Sequence, residues 1–206
     1  MSKVYVYGVT DAAPFTASLD GVEDATEVRT VEHDPLAAVV SDVEEREPPR
    51  TDENVQAHDE VLRSVMTGGD GRTVVPMQFG MVFEGEGPLR NVLRSGRPTF
   101  TRSLNEVDGT FEFGVKVVAP DDGGVPPAVT ESVSEELASA SVAEADGDQF
   151  SDRLVLNRSY LVERAEREAF DDAIDRVRER HDSLTVRYTG PYAPYNFVDI
   201  HIGAER

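Results

Sequence analysis

Residues 3–9 are apolar on both sides of a strand, with Val4 and Val6 on one side and Tyr5 and Tyr7 on the other. Side chains of a strand alternate between two faces, so both faces must be covered and the segment belongs at the centre of a sheet. The rest of the first half reads as the cover and neighbours of that strand. Residues 11–20 are mixed and supply at most a helical turn or two. Two short β-branched runs, 28–31 and 37–40, are broken by His33, Asp34 and Pro35 and read as a hairpin. Residues 44–50, with Pro48 and Pro49, form an exposed connector. Asp52 caps a helix expected over 54–67, whose apolar stripe is Val55, Val61, Leu62 and Val65 with His58 on or beside it; the glycines at 68, 69 and 71 stop it. A strand follows over 74–83, at an edge or with a bulge because Pro76 has no N–H to give a ladder. The order β, short α, β, β, α, β predicts a ferredoxin-like α+β domain over residues 1–84.

The second half predicts a further α+β domain over residues 85–206. Pro88 with Leu89, Val92 and Leu93 marks a helix start, and a second helix is expected over 99–107. Residues 110–118 form the cleanest strand: Phe111, Phe113, Val115 and Val117 share a buried face, and Thr110, Glu112 and Lys116 share an open one. Residues 121–124 are a turn, and 132–145 an acidic surface helix. A long helix is expected over 151–180, from Leu154, Leu161, Ala165, Ala169, Phe170, Ala173, Ile174 and Val177 at helical spacing. The chain closes on a strand pair around a stiff turn, where Gly190 permits a positive φ and Pro191 and Pro194 fix theirs. Beyond the turn Val198, Ile200 and Ile202 alternate with Phe197, Asp199 and His201. The turn is expected to be a rigid platform for Tyr192, Tyr195 and Phe197, as packing anchors or as a partner-binding surface. Tyr192 is expected to be the most exposed of the three, Phe197 largely packed, and the Tyr195 hydroxyl bonded to its surroundings.

Charge narrows the setting. Lys and Arg number 20 against 40 Asp and Glu, a net charge of −20 spread along the whole chain, and the only lysines are Lys3 and Lys116. Such a surface repels nucleic acid and anionic lipid. Its self-repulsion is tolerable in multimolar salt, where the screening length falls to ~3 Å, so the composition predicts a protein of a salt-filled cytoplasm. No apolar run approaches the ~20 residues of a membrane span, and the N-terminus has no signal-peptide pattern.

No pattern for catalysis emerges. With no cysteine there is no thiolate nucleophile or thiolate metal site. His33, His58, His181 and His201 form no helical ligand pair; Asp199 and His201 share a strand face, which reads as a surface or ion pair before it reads as two metal ligands. The glycines at 68, 69 and 71 follow a helix, whereas a phosphate cradle precedes one. Acidic pairs are too common among 40 carboxylates to single out a hydrolytic dyad. The Met77, Phe79, Met81, Phe83 alternation reads first as core packing and second as a soft binding face. No cofactor is expected. The rival to a non-catalytic protein is a small-molecule enzyme, or a ligand sensor, built on the Asp199/His201 face.

Six segments, taken in order, carry a resemblance: 4–8, 58–62, 75–83, 112–117, 160–162 and 190–198. Together they resemble the GvpF/GvpL family of gas vesicle accessory proteins, over nearly the whole chain. Gln78 departs from the pattern, standing where the family is expected to have Arg. The resemblance implies a two-domain α/β protein that is not an enzyme and assists gas vesicle assembly. Its implied partners are the small hydrophobic shell protein GvpA and other gas vesicle accessory proteins. A gas vesicle in a salt-loving cell agrees with the acidic composition.

Overall fold

The structure, a computed structural model, describes residues 2–69, 71–120, 125–149, 151 and 153–200. The chain divides into two α+β units. The first runs to Asp108 and takes in the segment from Ala193 onward; the second is Gly109–Tyr192.

In the first unit β1 (Lys3–Asp11) lies inside an antiparallel sheet of order β2-β3-β4-β1-β5, where β2 is Thr16–Ala17, β3 Val28–His33, β4 Leu36–Val43 and β5 Val75–Pro76. A further short strand, β6 (Val82–Phe83), also pairs with β1. The two apolar faces of β1 have separate covers. Val4, Val6 and Val9 join Leu89, Leu93 and Phe100 of α2 (Glu86–Glu106) in one core cluster. Tyr5 and Tyr7 face the other way, and the Tyr5 hydroxyl reaches His58 of α1 (Asp52–Thr67). Each buried valine or leucine contributes roughly 1.5–3 kcal/mol by leaving water. Thr51 caps α1 by accepting from the Asn54 N–H, one residue before the expected Asp52. The β3–β4 hairpin turns at Asp34 and Pro35, as its sequence predicts. Gly8 sits at a register shift in β1, where a Cβ would stand 2.6 Å from Val74 Cγ1 and 2.8 Å from the Val75 carbonyl oxygen.

Two expectations in this stretch are revised. Residues 74–83 do not make one strand: only β5 and β6 pair with β1, and Met77 N–H donates to the Tyr7 carbonyl between them. The separate helices expected from Pro88 and over 99–107 are one helix, α2, with Pro98 inside it. Proline removes one i→i−4 bond, but buried Leu93 before it and Phe100 after it hold the two turns to the same core. The expected boundary at residues 84 and 85 thus precedes a helix that the contacts assign to the first unit.

The second unit has a four-stranded antiparallel sheet of order β10-β7-β9-β8, comprising β7 (Thr110–Val118), β8 (Ala143–Asp146), β9 (Leu154–Glu163) and β10 (Thr185–Tyr192). Phe111, Phe113, Val115 and Val117 are buried as their alternation predicts, while Thr110 and Glu112 on the expected open face are buried too. The long helix expected over 151–180 is instead β9 followed by α4 (Arg167–Arg180). Leu154, Leu156, Tyr160 and Val162 recur at even spacing and are buried, so the strand period decided the fold of that stretch. In α4, Phe170, Ala173, Ile174 and Val177 are buried, with Phe170 stacked on Phe113 at 5.8 Å between ring centres. The helix expected over 132–145 ends early: α3 is Pro127–Ala138, and the sheet edge β8 follows.

The closing strand pair is also revised. Strand β10 pairs with β7, opposing Tyr192 to Glu112, and nothing in 193–200 joins a ladder. Tyr195–Phe197 is a 3-10 turn belonging to the first unit. Beyond it Val198 and Ile200 pack against the core cluster beneath α2, which keeps the expected shared side without the expected strand. Among the described residues, no helix is long and apolar enough to cross a membrane.

Candidate functional site

The three aromatics expected to form one platform fall in different settings. Tyr192 ends β10 in the second unit, whereas Tyr195 and Phe197 lie in the 3-10 turn of the first. All three are half-buried, so burial does not set Tyr192 apart as the most open or Phe197 as the most packed. Asp199 is exposed, and His201 lies outside the described residues.

Tyr195 is the best-connected of the three. Its hydroxyl lies 2.8 Å from Nε2 of His58 and 3.3 Å from Oδ1 of Asp59. On the other side of the imidazole, Nδ1 of His58 lies 2.7 Å from the Tyr5 hydroxyl, which itself accepts from the Gly80 N–H at 3.2 Å. One assignment of protons gives every member a partner in sequence. The Gly80 amide donates to Tyr5, Tyr5 to Nδ1, Nε2–H to Tyr195, and Tyr195 to the Asp59 carboxylate. This chain needs a neutral imidazole. Burial supplies it, pushing His58 down to about 4, with the Arg50 charge adding to that effect and the Met77 carbonyl opposing it. Burial likewise raises the Tyr5 phenol, and it raises the Asp59 carboxyl against the Tyr195 hydrogen bond.

The rings around this chain are closely set. Tyr5 meets Tyr7 edge-on at 4.9 Å and Phe79 at 5.8 Å, and His58 lies 5.9 Å from Phe79. The Arg50 guanidinium covers Phe79 at 5.4 Å. Tyr7 continues the polar thread, bonded to Ser41 at 2.8 Å and accepting from the Val22 N–H at 2.9 Å. Met77 is buried, and Met81 and Phe83 pack on the core cluster, while half-buried Phe79 joins the Tyr5 and His58 rings instead. Gln78 is exposed.

Chemically, the arrangement fastens the C-terminal segment to β1 and α1 through hydrogen bonds and ring contacts. Among the described residues no group of three or more His, Asp or Glu could hold a metal ion. Sequence reasoning placed His58 near the apolar stripe of α1 but missed its two tyrosine partners. The available signal was a histidine on a buried helical stripe in a chain whose first strand turns tyrosines inward.

The geometry thus defines a protein of two α+β units, its C-terminal segment tied to the first by a buried His–Tyr thread. A family model described as "Gas vesicle synthesis protein GvpL/GvpF" matches residues 3–125 and 126–199. The chain belongs to that family. It is 47% identical over 205 residues to gas vesicle protein F1 of Halobacterium salinarum, spanning 99% of this chain and 96% of the relative. It is 48% identical over 206 residues to gas vesicle protein F of Haloferax mediterranei, spanning 99% and 97%. The crystal structure of GvpF from Anabaena sp. PCC7120 superposes with a TM-score of 0.85 at 19% identity, covering 100% of each chain. That of GvpF from Microcystis aeruginosa gives 0.82 at 16% identity, covering 96% of this chain and 99% of the other; at such identities both speak to the fold alone.

Proposed function

We propose that the chain is a non-catalytic accessory protein of gas vesicle assembly that chaperones or nucleates the shell protein GvpA in a salt-filled cytoplasm. The observation that carries this reading is the family match along residues 3–125 and 126–199. Physical need supports it. A shell subunit with an apolar gas-facing surface associates in water, and strong salt makes that association stronger. A partner of net charge −20 stays hydrated in the same salt and delays it. Other gas vesicle accessory proteins are the remaining partners of this reading. Its contact residues are Tyr195 and Phe197 on the first unit and Tyr192 on the second, half-buried aromatics of the kind that dominate protein contacts. The strand order β3-β4-β1-β5, all antiparallel, supports reading the sheet of the first unit as ferredoxin-like.

The test is co-precipitation with immobilised GvpA in about 3 M KCl, where long-range charge effects are screened. Wild type should be retained, and Tyr192→Ala should lose about tenfold in affinity with its melting temperature unchanged. No retention of wild type would sink the shell-protein reading. Equal binding by Tyr192→Ala would move the contact face elsewhere.

A further inference from the structure

Helix α2 reverses the charge of the molecule. Of 206 residues 40 are Asp or Glu, yet none lies in residues 87–105, which hold Arg90, Arg94, Arg97 and Arg102. All four arginines are exposed. Arg90, Arg94 and Arg97 stand at i, i+4 and i+7, so they share one flank of the helix, continued by exposed Thr101 and Asn105. A shallow depression there is lined by Arg97, Pro98, Thr101, Arg102 and Asn105, with Glu106 at its end.

The middle of this flank lacks carboxylates of its own. Arg90 is paired with Glu86 at 2.7 Å, and Arg102 reaches Glu106 only at 3.9 Å. Arg94 donates to the neutral Asn91 side chain at 3.0 Å, and Arg97 makes no hydrogen bond or ion pair among the described residues. Several other arginines are taken up internally: Arg29 by Asp42 and Glu86, Arg158 by Glu144 and Asp146, and Arg176 and Arg180 by Glu136. About a quarter turn round the helix, α2 is anchored, with Leu89, Leu93 and Phe100 fully buried. The guanidinium row therefore stands on a fixed backbone.

We propose that this arginine flank of α2 is a docking surface for a helical protein segment that presents carboxylates at matching i, i+4 and i+7 spacing. Charge complementarity selects that partner. In multimolar salt attraction survives only at contact, because the screening length is ~3 Å. Arginine keeps value there because its planar fork holds a carboxylate through two parallel hydrogen bonds, which an ammonium cannot do. The arginines of α2 that find a carboxylate on their own helix take it at four-residue spacing, Arg90 from Glu86 and Arg102 from Glu106, so a helix carrying carboxylates at that repeat is the matching ligand. Nucleic acid is the other polyanion, but its binding rests on counterion release and falls steeply with salt.

Binding of the full-length protein to a helical peptide with glutamates at i, i+4 and i+7, and to its glutamine counterpart, tests this in about 3 M KCl. The glutamate peptide should bind at least about tenfold more tightly than the glutamine peptide. Arg94→Glu with Arg97→Glu should abolish that preference, and Arg94→Lys with Arg97→Lys should reduce it, all with unchanged melting temperatures. Arg187→Glu, reversing an exposed arginine of β10, should keep it. No binding of the glutamate peptide, equal binding of the two peptides, full binding by the double glutamate variant, or tighter binding of duplex DNA in the same salt would each overturn the proposal. Should the double glutamate variant fail to fold, the lysine pair carries the test: binding equal to wild type removes the bidentate argument and with it the proposal.

Discussion

Acid should loosen the first unit through one residue. In the folded chain His58 is held neutral down to about 4, against an ordinary value of 6.5. The unfolded chain takes this proton as pH falls through ~6.5, while the folded chain refuses it until about 4. Between those values the unfolded state binds more protons, so stability rises with pH across the window and is lost as pH falls through it. The gap corresponds to about 3 kcal/mol, fully lost below the lower value. Structure gives the same sign: a proton on Nδ1 would face the Tyr5 hydroxyl as a second donor and break the thread at its centre. The groups facing the ring are Tyr5, Tyr195, the Met77 carbonyl, nearby Asp59 and the Arg50 charge. Asp59 works in the opposite direction. Its carboxyl is raised in the folded state, so it contributes stability as pH falls through its folded value. The assay is urea unfolding in about 3 M KCl between pH 7 and pH 4, for wild type and His58→Gln. Glutamine keeps a donor and an acceptor but takes no proton, and the carboxylate background is common to both chains. Wild type should lose about 3 kcal/mol more than the variant over the range. Parallel profiles would refute the reasoning.

Three further outcomes follow from the same contacts. Tyr195→Phe keeps the ring but strips the acceptor from Nε2–H of His58 and the donor to Asp59, and should cost about 1–3 kcal/mol by urea unfolding. Gly8→Ala should destabilise by about 1–3 kcal/mol, because its Cβ would meet the Val74 side chain at 2.6 Å and the Val75 carbonyl at 2.8 Å; an unchanged melting temperature would show that the register shift relaxes freely. With a net charge of −20, cooperative structure should be lost below roughly 0.5 M KCl and regained in multimolar KCl, as read by circular dichroism.

What was legible in the sequence followed from periods that admit one solution. Val4, Tyr5, Val6 and Tyr7 demanded cover on both faces, and α1 and α2 supply it. Phe111 to Val117 alternated cleanly and is the middle of the second sheet. The stretch 154–163 failed because Leu154, Leu161 and Ala165 also satisfy a helical count, and charged residues 158 and 163 resembled a solvated helix face. Arg158 in fact crosses to the sheet edge, paired with Glu144 and Asp146, so its charge marked a strand neighbour. The helix started at Pro88 and the one expected over 99–107 are joined through Pro98, where local chemistry penalises a helix. Tertiary burial of Leu93 and Phe100 on either side outweighed that penalty.

The C-terminal stretch was hidden for a different reason. Gly190, Pro191 and Pro194 announce a turn, but no local pattern says which partner the turn serves. The Tyr195 hydroxyl finds His58 across 137 positions of sequence, a pairing no short window contains. Once the pairing is seen, the character of the segment changes. From Ala193 to Ile200 its backbone joins no sheet, so its hold depends on side chains: the Tyr195 thread at one end, Val198 and Ile200 on the core at the other. An apolar contact strengthens in high salt, whereas an exposed ion pair weakens. The thread is neutral except for Asp59 at its end, and the anchors beyond it are aliphatic. Such a fastening suits a chain of net charge −20, because a solvent salty enough to screen the carboxylates leaves this attachment intact. Surface ion pairs such as Arg46–Glu84 at 3.7 Å would not serve that purpose.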